Sequence, residues 1–557
     1  MKNKTSIRII IATLITLVIA AVGFYFLLPA INPYSQGFWI GLIALILIWG
    51  AAYAAIGVGV SINGFLGNIT AKKKPSLKVG GFKYLLIALA IPVAVLVIGN
   101  IISSTFFNAV DYSQIIEVKE AVFEEDMPET DSVTNIALMD TESAIKMGNR
   151  KLGELADVVS QFEMSNYYSQ INYKGVPAKV ANLEYVDFFK WFNNKENGIP
   201  GCVRVDPVNS DAEYIKLDKP MKYVESAYFG EDLNRKLRFS YPTKIFDSIT
   251  FELDENGDPY YIVSCLAPRI GLFGAMDVNE VIIFNPVDGT HELYAVEDTP
   301  SWVDNVFDGY LASQKYDWYG MYKNGFWNSV IGNKDCKVTT DDFGYIILGD
   351  DVWYFTGVTS ITSDESNIGF IISNARTGEY KFYSVIGAEE YSAMEAAEGE
   401  VQEKGYDASF PSLINVSGEA TYIMVLKDSN GIVKLCALVN VENYSIVATG
   451  QNQTEAKEAY IKLLVDNGII EDVIPTPDLP DESELKSAEI TVCAVKDVTV
   501  NGNSVIYFTD ENGVFYKQTV SADESIMLIS VGDKITVKYS DTEIDKIKQL
   551  SSWAIAE

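Results

Sequence analysis

Residues 251–264 read Phe-Glu-Leu-Asp-Glu-Asn-Gly-Asp-Pro-Tyr-Tyr-Ile-Val-Ser. Two strand-forming runs flank Asp254-Glu-Asn-Gly257, and Asn-Gly supplies the positive φ angles that a tight turn requires. The stretch predicts a β-hairpin. The same device recurs as Asp428-Ser-Asn-Gly431 and Asp510-Glu-Asn-Gly513.

A second hairpin type is written as Ile282-Ile-Phe-Asn-Pro-Val-Asp-Gly289 before Glu292-Leu-Tyr, and as Phe370-Ile-Ile-Ser-Asn-Ala-Arg-Thr-Gly378 before Tyr380-Lys-Phe-Tyr. Val205-Asp-Pro-Val-Asn209 before Glu213 looks like a degenerate third copy. Helices are expected from Thr141 toward Glu163, weakened by Gly148 and Gly153, from Ala388 to Lys404 with Gly405 as stop, and from a Thr454 cap to Val465. The expected class is α+β, with a large, antiparallel-sheet-rich region over residues 136–470.

The order helix, hairpin, strand pair closed by Asp288-Gly289 or Thr377-Gly378 resembles the small PepSY-type module of bacterial envelope proteins and protease propeptides. That resemblance covers about half of residues 140–450 and rests on short turn motifs. It implies a binding or inhibitory module rather than an active site.

Charge is distributed unevenly about this region. Residues 1–110 hold eight basic and no acidic residues; the rest holds 35 basic and 75 acidic, giving a chain total of −32. A surface this acidic repels phosphate backbones, so no nucleic-acid partner is expected. Within residues 1–103, Ile9–Ala30, Gly37–Ile62 and Tyr84–Ile102 are uncharged apolar runs, each long enough to cross about 30 Å of hydrocarbon. The first exceeds the roughly 7–15 apolar residues of a secretory signal, and a second run follows at once. Three transmembrane helices are therefore expected, with the lipid bilayer as a partner. Lys2, Lys4 and Arg8 before the first run, and Lys72, Lys73, Lys74, Lys78 and Lys83 between the second and third, place those segments in the cytoplasm. The chain from about Ser103 is then extracytoplasmic. No Asp, Glu, Lys or Arg lies within the runs, so a proton or ion pathway lacks its usual residues.

Residues 104–135 read as an acidic stalk. Residues 471–487, with Pro475, Pro477 and Pro480 among acidic neighbours, read as a stiff linker. Residues 488–557 carry short alternating runs, Ser525-Ile-Met-Leu-Ile among them, and suggest a small β-barrel of OB or SH3-like type. Five cysteines, none in a CxxC pair, do not form a disulfide framework. Cys265 and Cys436 read as buried strand residues.

Candidate chemistry is sparse. His291 is the single histidine, which removes multi-histidine metal sites and leaves only one residue for a Ser–His–Asp triad. It follows the Asp288-Gly289 turn and reads as an exposed turn residue. Ser143-Ala-Ile-Lys146 matches Ser-x-x-Lys at a helix start, with Tyr322-Lys-Asn324 and Arg376-Thr-Gly378 as weak imitations of the companion motifs of penicillin-recognising enzymes. Asp341-Asp342, Asp350-Asp351 and Glu389-Glu390 are acidic pairs that read as solvated turns. Asp254, Asn256 and Asp258 approach a calcium loop without its glycine spacing. No phosphate-binding glycine loop is present, and no cofactor is expected.

The most unusual patch spans Tyr310 to Trp327. Its Tyr316, Trp318, Tyr319, Tyr322 and Trp327 are interleaved with short polar groups and form the expected contact for a protein partner or a cell-wall glycan. The expectation is a non-enzymatic, membrane-anchored binding or scaffolding protein of the bacterial envelope. A hydrolase using carboxylates or Ser143–Lys146 is the alternative.

Overall fold

The computed structural model describes residues 2–66, 82–130, 139–208, 211–361, 363–470, 486–500, 503–520, 523–540 and 547–555. Three helices open it: α1 (Lys2–Leu27), α2 (Gln36–Leu66) and α3 (Phe82–Ile102, with Pro92 inside). Each is long and apolar enough to cross a membrane. Trp49 Nε1 donates to Thr13 Oγ1 at 3.1 Å, and Gly50 leaves room for the Leu85 side chain, so small and polar residues are used between the spans themselves. Lys72, Lys73, Lys74 and Lys78 lie outside the described residues.

The chain divides into two compact units, Met1–Leu463 and Leu464–Glu557. In the first, the acidic run after α3 is not an unpatterned stalk. It folds into α4 (Thr105–Ser113), a strand (Val118–Ala121) and the single turn α5 (Phe123–Asp126). The strand pairs in parallel with Tyr380–Tyr383. Phe123 and Met127 are sunk in a core, while Asp126 accepts from Lys381 and the Tyr383 hydroxyl. Two apolar anchors thus outweigh a charge-rich composition. Residues 131–135 of the expected stalk lie outside the described residues.

Four times, a helix is followed by an antiparallel meander. The first set is α6 (Thr141–Gly153) and the turn α7 (Ala156–Val159), then strands Phe162–Met164, Ser169–Tyr173 and Val176–Tyr185. It continues with α8 (Phe188–Asn194), Ile199–Asp206 and Asp211–Met221. The second is α9 (Leu233–Ser240) with Ile245–Leu253, Pro259–Ile270, Gly274–Phe284 and His291–Ala295, paired in chain order. The third is α10 (Gly309–Tyr322) with Lys337–Thr339, Gly344–Leu348, Asp351–Ser360, Ser363–Asn374 and Tyr380–Tyr383. The fourth is α11 (Glu390–Glu400) with Asp407–Ala408, Ser412–Val416, Glu419–Lys427, Val433–Asn440 and Val447–Gly450, followed by α12 (Gln453–Asp466). One core joins the first two sheets through Val180, Leu183, Val263 and Phe284. Another joins the last two through Phe355, Phe370, Tyr422 and Met424.

Several elements differ in extent from the sequence expectation. The helix from Thr141 stops at Gly153 and is capped by Asp140, whose carboxylate accepts from Ser143 N; Phe162–Met164 is a strand. α11 is shorter than 388–404 because Gly387–Ala388 pairs with the third sheet. Asn452, not Thr454, caps α12, accepting from Glu455 N at 2.9 Å. Cys202, Cys265, Cys336 and Cys436 are buried free thiols.

In the second unit, six strands run in the order Lys486–Thr491, Lys534–Ser540, Ile547–Ile555, Phe515–Thr519, Asn503–Thr509, Ala494–Val500. The expected closed barrel is not found: among the described residues no pairing joins the two end strands of this path. The expected strand at Ser525 is a 3-10 turn, Glu524–Leu528, because Asp523 accepts from Ser525 N and nucleates it. Residues 471–485 of the expected linker lie outside the described residues.

Candidate functional site

Helix α10 carries most of the aromatic patch. Asp308 starts it, its carboxylate accepting from Tyr310 N at 2.8 Å and Leu311 N at 3.4 Å. The helix lies between two apolar clusters, so its faces are apolar on both sides. Tyr316 is 1% exposed and packs with Tyr319 against Val352, Tyr354 and Ile371. Trp318 and Tyr322 turn the other way, onto Tyr112 of α4, with ring centroids 5.1 and 6.3 Å apart. Trp327 stands beyond the helix, exposed, with its ring 5.8 Å from Phe106. The five residues are therefore not one surface: two fill a core, two pack on α4, and Trp327 alone of the five faces outward.

The other sequence candidates are also separated. Ser143 is buried at the start of α6, and Lys146 forms an ion pair with Glu142 at 2.8 Å on the solvent side. Asp351 is held by Arg376 at 2.7 Å. Glu390 is fully buried, accepts from Gly357 N at 2.6 Å, and burial raises its carboxyl to about 7. Asp254 Oδ1 accepts from Asn256 N and Asp258 N, which uses it as a turn acceptor. His291 is exposed, its Nδ1 2.9 Å from the Tyr241 hydroxyl. Among the described residues no group of three or more His, Cys, Asp or Glu is arranged to hold a metal ion.

What the fold does bring together is a cleft of about 240 Å³ with mixed polar and apolar walls. The hairpin Ser169–Tyr173/Val176–Tyr185 sets Gln170 directly opposite Lys179, so both side chains leave the same face. Both line the cleft, with Thr141, Asp342, Tyr345 and Ser412 among their neighbours. Lys179 Nζ lies 3.4 Å from Thr141 Oγ1 and 5.4 Å from the Tyr345 ring centroid. Burial pulls its ammonium down to about 8, with nearby Asp140 acting in the opposite sense. Asp140 itself is committed: it caps α6 and forms an ion pair with Lys427. Gln170 is 4% exposed, and its Nε2 has no hydrogen-bond partner among the described residues. An amine and an amide donor thus converge where an acceptor-rich group is needed to satisfy them. A second hollow of about 170 Å³ shares Gln170, Tyr345 and Ser412 with the first.

The sequence carries a faint signal for this site. Lys179 is a lone charge in the strand run Val176-Pro-Ala-Lys-Val-Ala, where an inward lysine needs a reason. Gln170 carries none, because its role depends on pairing register.

No family model matches the chain, and no curated protein matches it. Among solved structures, the Bacillus megaterium YpeB C-terminal domain aligns at 10% identity, covering 45% of this chain and 98% of that one, with a TM-score of 0.09.

Proposed function

We propose that this chain is a non-enzymatic, membrane-anchored binding protein of the bacterial cell envelope, displaying its helix-and-meander region outside the membrane. The observation that carries the proposal is the pairing of Lys179 with the unpartnered amide of Gln170 in one cleft. Such a seat suits a carboxylate or similar oxyanion on a peptide or cell-wall fragment, because both groups donate and, among the described residues, Lys179 forms no direct ion pair. The outward orientation rests on the lysines flanking the spans. The helix-then-meander order supports kinship with PepSY-type modules. A small barrel of OB or SH3-like type is our reading of the second unit. It is supported by the parallel pairing of Phe515–Thr519 with Ile547–Ile555, and by Lys486–Thr491 and Ala494–Val500 following each other at opposite ends of the sheet path.

The test is calorimetric titration of the full chain in nanodiscs with soluble cell-wall stem peptides, amidated stem peptides and glycan fragments. Free-carboxylate peptides should bind, and Lys179→Met should weaken them by about tenfold or more, equal to roughly 1.4 kcal/mol. Equal binding by Lys179→Met, or no preference for the free carboxylate, overturns the proposal. Protease added to wall-stripped cells tests the orientation: the region after residue 103 should be digested.

A further inference from the structure

Two groups of exposed aromatic residues sit where the first unit meets the outer ends of its apolar helices. Beside α3, Ser103 fixes the junction: its hydroxyl accepts from Leu272 N at 2.8 Å and Phe273 N at 2.9 Å, and its carbonyl accepts from the Tyr112 hydroxyl at 2.6 Å. Helix α4 therefore leaves the span in a fixed direction. From it Phe106 and Phe107 project, and Phe106 packs on Phe326 and Trp327 with centroids 5.1 and 5.8 Å apart. The short π-helical turn Asn328–Gly332 that follows presents Ile331, 75% exposed, next in line.

Beside α1, Arg235 makes the corresponding junction. Its Nε donates to Tyr25 O at 3.3 Å and its Nη1 to Phe229 O at 2.7 Å, with the guanidinium 4.3 Å above the Tyr25 ring. Phe229 is thereby held level with the last turn of α1. It keeps φ +55, a conformation bulky side chains rarely adopt, and remains 57% exposed. Phe239 packs on Phe24 of α1 at 5.4 Å. Phe188 of α8 lies 6.4 Å from Phe229, and its neighbours Phe189 and Phe192 face outward on the helix that carries Lys190 and is followed by Lys195.

We infer that these two aromatic groups form an apron that rests in the interfacial layer of the bilayer, so that the first unit lies on the membrane rather than standing off it. A protein in water rarely exposes contiguous apolar patches of this kind. Aromatic rings flanked by lysines are the side chains that favour the headgroup boundary. The occupant is identified by continuity: each patch is joined by hydrogen bonds and ring contacts to the terminal turn of an apolar helix. The inference rests on those helices spanning the bilayer.

Four spin-labelled variants of the full chain, Phe189→Cys, Ile331→Cys, Val18→Cys and Glu255→Cys on a Cys493→Ser background, test it in phosphatidylglycerol-containing nanodiscs. Val18 lies in mid-span. Glu255 lies in the turn beyond Ile245–Leu253, a strand about 30 Å long, at the end away from Thr243, whose carbonyl accepts from Asn32 Nδ2 between α1 and α2 at 2.8 Å. Labels at 189 and 331 should be several-fold more accessible to oxygen, relative to an aqueous nickel chelate, than the label at 255. If 189 and 331 match 255 while 18 is deep, the apron is overturned and the spans stand. If 18 is also aqueous, the spanning premise fails. Spin–spin broadening at 189 or 331, with shielding from both reagents, assigns the face to a second copy and overturns the inference.

Discussion

Glu252 and Asn305 are joined twice through one oxygen: the backbone N and side-chain Nδ2 of Asn305 both donate to Glu252 Oε1, at 2.8 and 2.9 Å. Glu252 Oε2 takes Asp304 N at 2.9 Å, and Asn305 Nδ2 also reaches Gln170 O at 2.9 Å. Tyr354 points its hydroxyl at Asn305 Oδ1 from 3.4 Å. Three sheets therefore meet on one fully buried carboxyl, directly behind the cleft. Glu252→Ala strands buried donors and should cost about 3–5 kcal/mol. Denaturant unfolding of the full chain, followed by tryptophan fluorescence, reads it. A loss below about 1 kcal/mol would mean that water replaces the carboxylate without penalty.

Asp304 gives this hub a pH dependence. Burial, followed by the proximity of Glu252, raises its carboxyl to about 9, even though Asn172 N donates to it at 2.8 Å. In the native state it keeps its proton where the unfolded chain has lost it. Its stabilising contribution is thus complete below about pH 4 and falls as pH rises toward 9. Asp304→Asn keeps an acceptor for Asn172 N and removes the titration. The difference between the thermal midpoints of variant and parent should therefore shift in the variant's favour from pH 5 to pH 9; parallel curves would contradict the assignment.

The turn acceptors are legible in sequence because Asp254, Asp428 and Asp510 act within four residues of themselves. The three long apolar helices are legible because a continuous uncharged apolar run of that length is itself the signal. The hub is not, since Glu252 and Asn305 are 53 residues apart and Asp304-Asn305 looks like any polar loop. The same distinction divides the candidate sites. The aromatic content of 310–327 can be read directly, but which rings are buried depends on α4, which composition disguises as acidic stalk. The cleft at Lys179 and Gln170 exists only once strand register is set.

Lys315 of α10 reaches across to the second sheet and binds Asp277 Oδ1 at 2.7 Å, both groups being buried, with its ammonium 4.7 Å from the Phe307 ring centroid. Arg269 approaches the same carboxylate at 3.3 Å from a more exposed position. Lys315→Met leaves Asp277 partly uncompensated and should destabilise the full chain by about 3 kcal/mol, whereas Lys315→Met with Asp277→Leu should recover most of that loss. A double variant as damaged as the single one would show that packing, not charge, holds α10 in place.

The three Asp-x-Asn-Gly turns allow a comparison within one chain. Asp254 Oδ1 accepts from Asn256 N and Asp258 N at 2.9 and 2.8 Å. Asp428 Oδ1 accepts from Asn430 N and Ile432 N at 2.9 and 3.0 Å, and Asp510 Oδ1 from Asn512 N and Val514 N at 2.9 and 2.8 Å. Each is followed by a glycine at positive φ: +87 at Gly257, +74 at Gly431 and +75 at Gly513. If the side-chain oxygen is what each turn needs, Asp→Asn should be nearly silent at all three positions, while Asp→Ala should cost about 1 kcal/mol. Gly257→Ala should cost about as much again through backbone strain. Chemical denaturation of the single variants measures all of these. Equal damage from Asp→Asn and Asp→Ala would make the negative charge, rather than the acceptor geometry, the feature that builds the hairpins.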